Sequence, residues 1–280
     1  MVKVAALITS FNRKQVTLRC LEALFASTRQ GYELVVYLVD DASPDGTGDA
    51  VRALFPEVHV VGGDGDLYWN RGMLSAWRHA LDSGADYYLW LNDDTELRPG
   101  AISDLIALHQ KVGPKAIVCG RIADPVSGRP VYGGLRRNRT PIRVAGITVW
   151  TRISSELAGE DLFCDTMNGN CVLIPAAAVQ DIGLISELYW HSEGDTDYGF
   201  RALDAGYKVA QLPEFVATGS YNEAFEDERS KLTLRNWRHV FFHPKGRRLV
   251  EAYHFFRQHY RPLWQVRLVW SYVRMIRLRS

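Results

Sequence analysis

Three apolar runs in the first hundred residues each stop abruptly in a polar cluster, and this pattern constrains the fold more than any other feature of the sequence. Residues 4–9 run into Ser10-Phe11-Asn12-Arg13, residues 34–39 into Asp40-Asp41-Ala42-Ser43-Pro44-Asp45-Gly46, and residues 87–91 into Asn92-Asp93-Asp94. A short continuous apolar run reads as a strand buried on both faces. The segments between the runs carry helical periodicity: residues 12 or 13 to 28 place Val16, Leu18, Leu21, Leu24 and Phe25 on one side, and further helices are expected at 47–54, 70–83 and 99–112. Additional strands are expected at 58–61 and 117–122. Strands alternating with helices imply an α/β fold with a mostly parallel sheet covered on both faces. Ligands of such sheets bind at the carboxyl ends of the strands, where the three polar clusters fall.

The rest of the chain is less regular. Residues 124–160 are rich in Gly, Pro and Arg and read as a hairpin and a mobile loop. Asn168-Gly169-Asn170 precedes a strand at 171–174, and Pro175 suits the first position of the next helix. His191-Ser192-Glu193-Gly194-Asp195-Thr196-Asp197 leads into a helix to Ala205 with Gly206 as C-cap, Asp197 being the expected N-cap, and residues 209–212 read as a strand. Across 280 residues the composition is 47% hydrophobic with net charge +1, an ordinary globular balance that gives no reason to expect a nucleic-acid partner. Cys20, Cys119, Cys164 and Cys171 lack Cys-x-x-Cys spacing. Cys20 and Cys119 read as core residues, and a Cys164–Cys171 disulfide stays open. The first eight residues are too short and too β-like for a signal peptide, and no run nears the ~20 apolar residues of a spanning helix. The expected location is cytoplasmic.

The clusters define the chemistry to be tested. Carboxylates gathered at the end of a buried strand repel one another. A hard divalent cation such as Mg²⁺ or Mn²⁺ relieves this and takes its remaining ligands from water and phosphate. The competing reading is a helix cap by Asp93 or Asp94. Asp40 and Asp41 suit hydrogen bonds to a base or ribose, or equally a turn. Asp195 is the candidate general base. The absence of Gly-x-Gly-x-x-Gly after the first strand, and of a phosphate loop, argues against a dinucleotide enzyme and an NTPase.

Six short pieces, in this order, resemble the family 2 glycosyltransferases of GT-A fold: Leu7-Ile8-Thr9-Ser10-Phe11-Asn12-Arg13, Val39-Asp40-Asp41-Ala42-Ser43-Pro44-Asp45-Gly46-Thr47, Trp69-Asn70-Arg71-Gly72-Met73, Leu91-Asn92-Asp93-Asp94-Thr95, Asn168-Gly169-Asn170-Cys171-Val172-Leu173-Ile174-Pro175 and Gly194-Asp195-Thr196-Asp197-Tyr198. The branch resembled builds bacterial surface polysaccharides, as rhamnosyltransferase-like enzymes do. The resemblance implies a UDP-, dTDP- or GDP-linked sugar as donor and a glycan or lipid-linked glycan as acceptor. It implies that Thr9, Asn12, Arg13, Asp40 and Asp41 line the nucleotide pocket and that Asn70 and Arg71 lie near diphosphate or sugar. Asp94 then binds the metal, with Asn92 and Asp93 beside it. Asn92 departs from the family's Asp-x-Asp pattern, where an acid stands. Asp195 matches the base of inverting transfer. No late histidine ligand is found in 217–222, and His191, His239 and His243 read as structural or surface residues. The implied organisation is a catalytic domain over 1–230, with a nucleotide-sugar half at 1–120 and an acceptor half at 121–230, followed by a basic, aromatic, helical extension at 231–280. A nucleotidyltransferase and a non-catalytic sugar-binding module are the alternatives.

From Arg235 onward the only acidic residue is Glu251. In 261–280, Arg267, Arg274, Arg277 and Arg279 alternate with Leu263, Trp264, Leu268, Val269, Trp270, Val273 and Ile276. A helix so patterned suits an anionic membrane surface at the inner face of the plasma membrane, or a helix docked on the catalytic domain with solvated arginines.

Overall fold

The computed structural model describes residues 1–27, 31–144, 147–220, 232, 233 and 235–277, with the side chains of 138–144, 147–155 and 277 left aside. Strand β1 (Val2–Ser10), helix α1 (Lys14–Ala26), β2 (Tyr32–Asp40), α2 (Thr47–Leu54), β3 (Val58–Gly62), α3 (Tyr68–Ala80) and β4 (Tyr87–Leu91) follow in order. Thr28, the expected end of the first helix, lies outside the described residues. Strand β1 pairs in parallel with both β2 and β4, and β2 with β3. Ser10, Asp40, Gly62 and Leu91 therefore finish along one edge, as the sequence pattern implied.

Next come β5 (Glu96–Leu97), α4 (Ala101–Val112), β6 (Ala116–Ala123), β7 (Pro130–Tyr132), β8 (Gly134–Val144), β9 (Ile147–Leu157), β10 (Phe163–Cys164), β11 (Thr166–Met167) and β12 (Cys171–Pro175). Strand β12 enters the sheet between β4 and β6 and is antiparallel to both, with Cys171 opposite Leu91. The main sheet then continues through β13 (Lys208–Thr218), parallel to β6, in the order β10-β13-β6-β12-β4-β1-β2-β3. The expected hairpin in 124–160 is β8–β9, with β11 as a third strand; residues 145–146 lie outside the described part. Strand β6 runs across residue 120 without a break. Pro175 closes β12 and caps α5 (Ala176–Ile182) from outside.

Alternation along β1 divides the core. Val4, Ala6 and Ile8 face α1, α2 and α4, meeting Leu21, Leu24, Val51 and Leu105. Ala5 and Leu7 face the other way, toward Met73, Trp77 and Tyr198 of α3 and α6 (Gly194–Asp204). Both layers are fully buried, which is why these strands carry no polar alternation. All four cysteines are free and buried, so the Cys164–Cys171 disulfide is not formed, and Cys20 and Cys119 are core residues as expected.

Of the C-terminal helices α7 (Trp237–Phe242), α8 (Leu249–His259) and α9 (Trp264–Arg277), α8 packs directly on α6, while α9 packs on α8 and meets α7 through Tyr272 and Phe241. Tyr189 and Phe200 meet Val240, Phe255, Phe256, Tyr260, Tyr272 and Met275 in a third core. Burying such a side chain is worth about 1.5–3 kcal/mol, so several aromatics hold these helices to the element that carries Asp195.

Asp197 is the polar pin of that contact. Its Oδ1 accepts from His259 Nε2 at 2.7 Å and Tyr189 Oη at 3.4 Å, and its Oδ2 accepts from Arg201 Nε at 2.8 Å. Asp197 is therefore not the N-cap of α6. That position belongs to Glu193, at φ 70°, and Asp197 lies inside the first turn with its carboxylate turned inward.

Candidate active site

Four of the five non-glycine residues with positive φ among the described residues border the candidate site: Asn12 after β1, Ala42 after β2, Tyr68 opening α3 and Glu193 opening α6, with φ of 55°, 54°, 56° and 70°; the fifth, Leu263, lies in the α8–α9 connection. Such conformations cost on the order of 1–3 kcal/mol each and gather where the surrounding structure must hold a particular shape.

The acidic strand end is held by a single cation. Arg13 Nη1 donates to Asp93 Oδ1 and Nη2 to Asp94 Oδ2, both at 2.9 Å. Asp93 is buried and also receives Thr17 Oγ1 at 3.5 Å. Burial pushes its pKa up to about 6; Arg13 opposes the rise and Asp94 adds to it. Burial works to lower the pKa of Arg13, but the paired charges of Asp93 and Asp94 outweigh it and the net shift is upward. Neither acid caps a helix, because β5 follows and α4 begins only at Ala101 with Gly100 as its cap. Asp94 keeps 19% of its side chain exposed, against 7% for Asp93, which makes it the more accessible carboxylate of the pair.

Asn92 is turned aside from these acids. Its Oδ1 accepts from Trp69 Nε1 at 2.7 Å, and its backbone N–H donates to Asn170 at 3.0 Å. The indole of Trp69 lies against Gly169, where an added Cβ would collide with the ring and come within 3.3 Å of Asp195 Cβ. Gly169 N–H donates to Asp195 Oδ2 at 2.9 Å, and Thr196 N–H donates to Oδ1 at 2.7 Å. A continuous path of contacts thus joins Asn92, Trp69, Gly169 and Asp195, and brings the acidic strand end and the candidate base to one cleft. Burial raises the pKa of Asp195, opposed by the two backbone donors. Beneath the path, the rings of Trp69, Trp77 and Tyr198 pack edge-on to Trp90 at 6.2, 5.4 and 5.1 Å, which fixes α3 and α6 against β4.

The other expected residues divide into surface and scaffold. Asn12 is exposed, and its N–H donates to Ser43 Oγ at 2.9 Å, tying the β1 and β2 loops together. Thr9 is nearly buried against Gly72. Asp40 accepts from the N–H groups of Ser43 at 3.2 Å and Gly48 at 3.1 Å. Asp41 is buried and accepts from Gly65, Leu67 and Tyr68 at 2.8, 3.0 and 3.3 Å. It holds the turn before α3 and has no oxygen turned to solvent. Asn70 is also fully buried, with Nδ2 donating to the carbonyls of Ser186 and Tyr189 at 2.7 Å each. It clamps the loop before α6 and does not face the cleft. Arg71 stacks at 3.8 Å over Trp190, whose ring also carries Arg248 at 4.7 Å. His191 and His243 pack edge-on to Tyr68, and His239 stacks on His243. Tyr221 and Asn222 lie outside the described residues.

Sequence reasoning placed Trp69 and Gly169 in family-like motifs without assigning either a role, and did not single out His259. An aromatic directly preceding Asn70 was the one visible sign of the first.

A mixed sheet with acids at its strand ends, and a half-buried carboxylate, Asp195, on a neighbouring helix, form the frame of the candidate site. The chain belongs to glycosyl transferase family 2, whose model matches residues 5–159. Over 281 aligned residues it is 25% identical to the N-acetylglucosaminyl-diphospho-decaprenol L-rhamnosyltransferase of Mycobacterium tuberculosis, spanning 93% of this chain and 87% of that one. Its fold is similar to that of the mannosyltransferase PcManGT from Pyrobaculum calidifontis, solved with GDP-Man and Mn²⁺, with TM-score 0.59 and 13% identity over 97% of this chain and 69% of that one. It is similar as well to S. aureus TarS in complex with UDP-GlcNAc, with TM-score 0.59 and 12% identity over 100% and 74% of the two chains. The GT-A fold and the glycosyltransferase class follow, and nucleotidyl transfer is set aside.

Proposed function

We propose that this glycosyltransferase is inverting and metal-dependent, and that it moves a hexosyl or deoxyhexosyl group from a UDP-, dTDP- or GDP-sugar to a hydroxyl of a glycan or lipid-linked glycan in surface-polysaccharide synthesis. The observation that carries the reading is the contact path from Asn92 through Trp69 and Gly169 to Asp195. The mycobacterial relative, named for a diphospho-decaprenol acceptor, favours the lipid-linked class.

Asp195 is the base. Two backbone N–H donors fix its direction, and burial makes it a better proton acceptor. It takes the proton from the acceptor hydroxyl while that oxygen attacks the anomeric carbon. The sugar–phosphate bond breaks on the opposite face, and its electrons leave with the diphosphate. The residues present fit Mg²⁺ or Mn²⁺: Asp94 offers an accessible carboxylate beside a second, buried one, and such ions take one or two carboxylates and complete their shell with phosphate and water. When bound, the ion offsets the charge that develops on the leaving diphosphate. Arg13, already seated between the acids, shares that role from the protein side. Thr9, Asn12 and Asp40 border the nucleotide. Arg71 contributes positive charge nearby, and Asp41 and Asn70 act through the loops they hold.

The test is sugar transfer with a panel of donors, in Mn²⁺ and in EDTA. Transfer from one donor class in Mn²⁺ alone is expected. Equal turnover in EDTA removes the metal role of Asp94, and hydrolysis of nucleoside triphosphates in place of transfer removes the proposal.

A further inference from the structure

Helix α9 is apolar on two faces. Leu268, Tyr272 and Met275 point inward and complete the third core. The opposite side carries Val266, Val269, Trp270 and Val273 at i, i+3, i+4 and i+7, and of these Val266 is 63% exposed, Val269 62% and Trp270 45%. A helix that merely docks on its own domain needs one apolar stripe; the second stripe is not explained by the fold.

The outer stripe continues onto neighbouring elements. Tyr253 of α8 meets Trp264 edge-on at 5.1 Å. Val250 and Tyr253 are exposed on the outer side of α8, as is Leu263 in the connection to α9. Exposed Arg257, Arg261 and Arg274 flank this surface. Among the described residues its charge has one sign: the only acidic side chain from Arg235 onward is Glu251, which is buried and bonded to Arg248 at 2.8 Å. A contiguous apolar surface flanked by arginines is complementary to a lipid bilayer bearing anionic headgroups, since apolar side chains enter the acyl boundary while guanidinium groups stay at the phosphates. A second copy of the chain is the poorer match, because two-fold apposition brings the arginine rims together.

We propose that the α8–α9 outer surface is a membrane-docking face for anionic phospholipid, with Val266, Val269 and Trp270 as its apolar centre and Arg257, Arg261 and Arg274 as its charged edge. The docked-helix and membrane-helix alternatives left open by the sequence are then both true, on opposite sides of one helix. Among the described residues no helix is long and apolar enough to cross a membrane, so this attachment is peripheral and reversible.

The experiment is sedimentation of the full chain with vesicles of phosphatidylcholine alone or mixed with phosphatidylglycerol, at low and high salt. Binding is expected only to the mixed vesicles, and salt should weaken it. The variant R261Q/R274Q should lower the partition coefficient about 30-fold, each arginine contributing roughly one kcal/mol at the surface. The variant V266Q/V269Q should lower it at least about 10-fold. These side chains are exposed, so circular dichroism and thermal midpoints should match the parent. Equal partitioning of parent and variants overturns the proposal, as does absence of binding to mixed vesicles. Self-association that V266Q/V269Q abolishes, without vesicle binding, assigns the face to a second copy instead. None of these readouts depends on glycosyl transfer, so they stand or fall apart from the catalytic reading.

Discussion

Replacing His259 by alanine tests how the C-terminal helices hold the element that carries Asp195. His259 and Asp197 have side chains 1% and 2% exposed, and their bond is 2.7 Å long. Removing the imidazole leaves Asp197 Oδ1 with only the 3.4 Å contact from Tyr189. It also opens a cavity between Phe200 and Phe255, each of whose rings lies 5.1 Å from the imidazole. Breaking a buried charge-assisted contact from one side costs about 3–5 kcal/mol, because the remaining carboxylate stays buried without its partner. Arg201, whose side chain is 20% exposed, still holds Oδ2, so the lower end of that range applies. The expected loss is then about 3 kcal/mol in urea unfolding, or a fall in Tm on the order of 10 °C. His259→Gln keeps an N–H donor at a similar reach and should recover more than half of the loss. Because Asp197 lies in the first turn of α6 with Asp195, kcat should fall along with stability while donor affinity holds. A loss below about 0.5 kcal/mol for His259→Ala, within the scatter of ordinary surface changes, would refute this account of the joint.

Two further predictions concern the cleft and its scaffold. Trp69→Phe keeps a ring against Gly169 but removes the donor to Asn92 Oδ1; urea unfolding should show a loss of about 1–1.5 kcal/mol, the worth of one hydrogen bond, and kcat/KM should fall as the path to Asp195 loosens, whereas unchanged stability and turnover would show that this bond does not hold the path. Asp41→Ala leaves the N–H groups of Gly65, Leu67 and Tyr68 without their acceptor; denaturant titration should show a loss of about 2–3 kcal/mol, whereas an Asp41 whose only task is to touch the donor would leave stability unchanged.

The first half of the fold was legible because its strands are buried on both faces, so that runs such as Tyr87–Leu91 stand out without alternation. The direction of β12 was not legible, since five apolar residues read the same in either orientation and only the pairing with β4 and β6 decides it. Asp197 looked like a helix cap because local preference favours Asp at that position. Its actual partner, His259, lies 62 residues away. Asp41 and Asn70 fall within motifs that suggest ligand contact, yet their side chains are taken up by backbone groups from distant loops. Trp69 stood in a quoted motif but received no role, because an aromatic near a helix start has no evident task until Gly169 and Asn92 are brought beside it. The basic tail was legible as amphipathic, but periodicity alone did not show two apolar faces.

The central claim is that Asp195 is the base in a metal-assisted transfer. The most direct measurement is kcat of Asp195→Asn, taken together with calorimetric binding of the nucleotide-sugar in Mn²⁺. Donor affinity close to that of the parent is expected, with kcat reduced by about 10²–10⁴. An Asp195→Asn protein that binds donor and transfers sugar at the parent rate would contradict it.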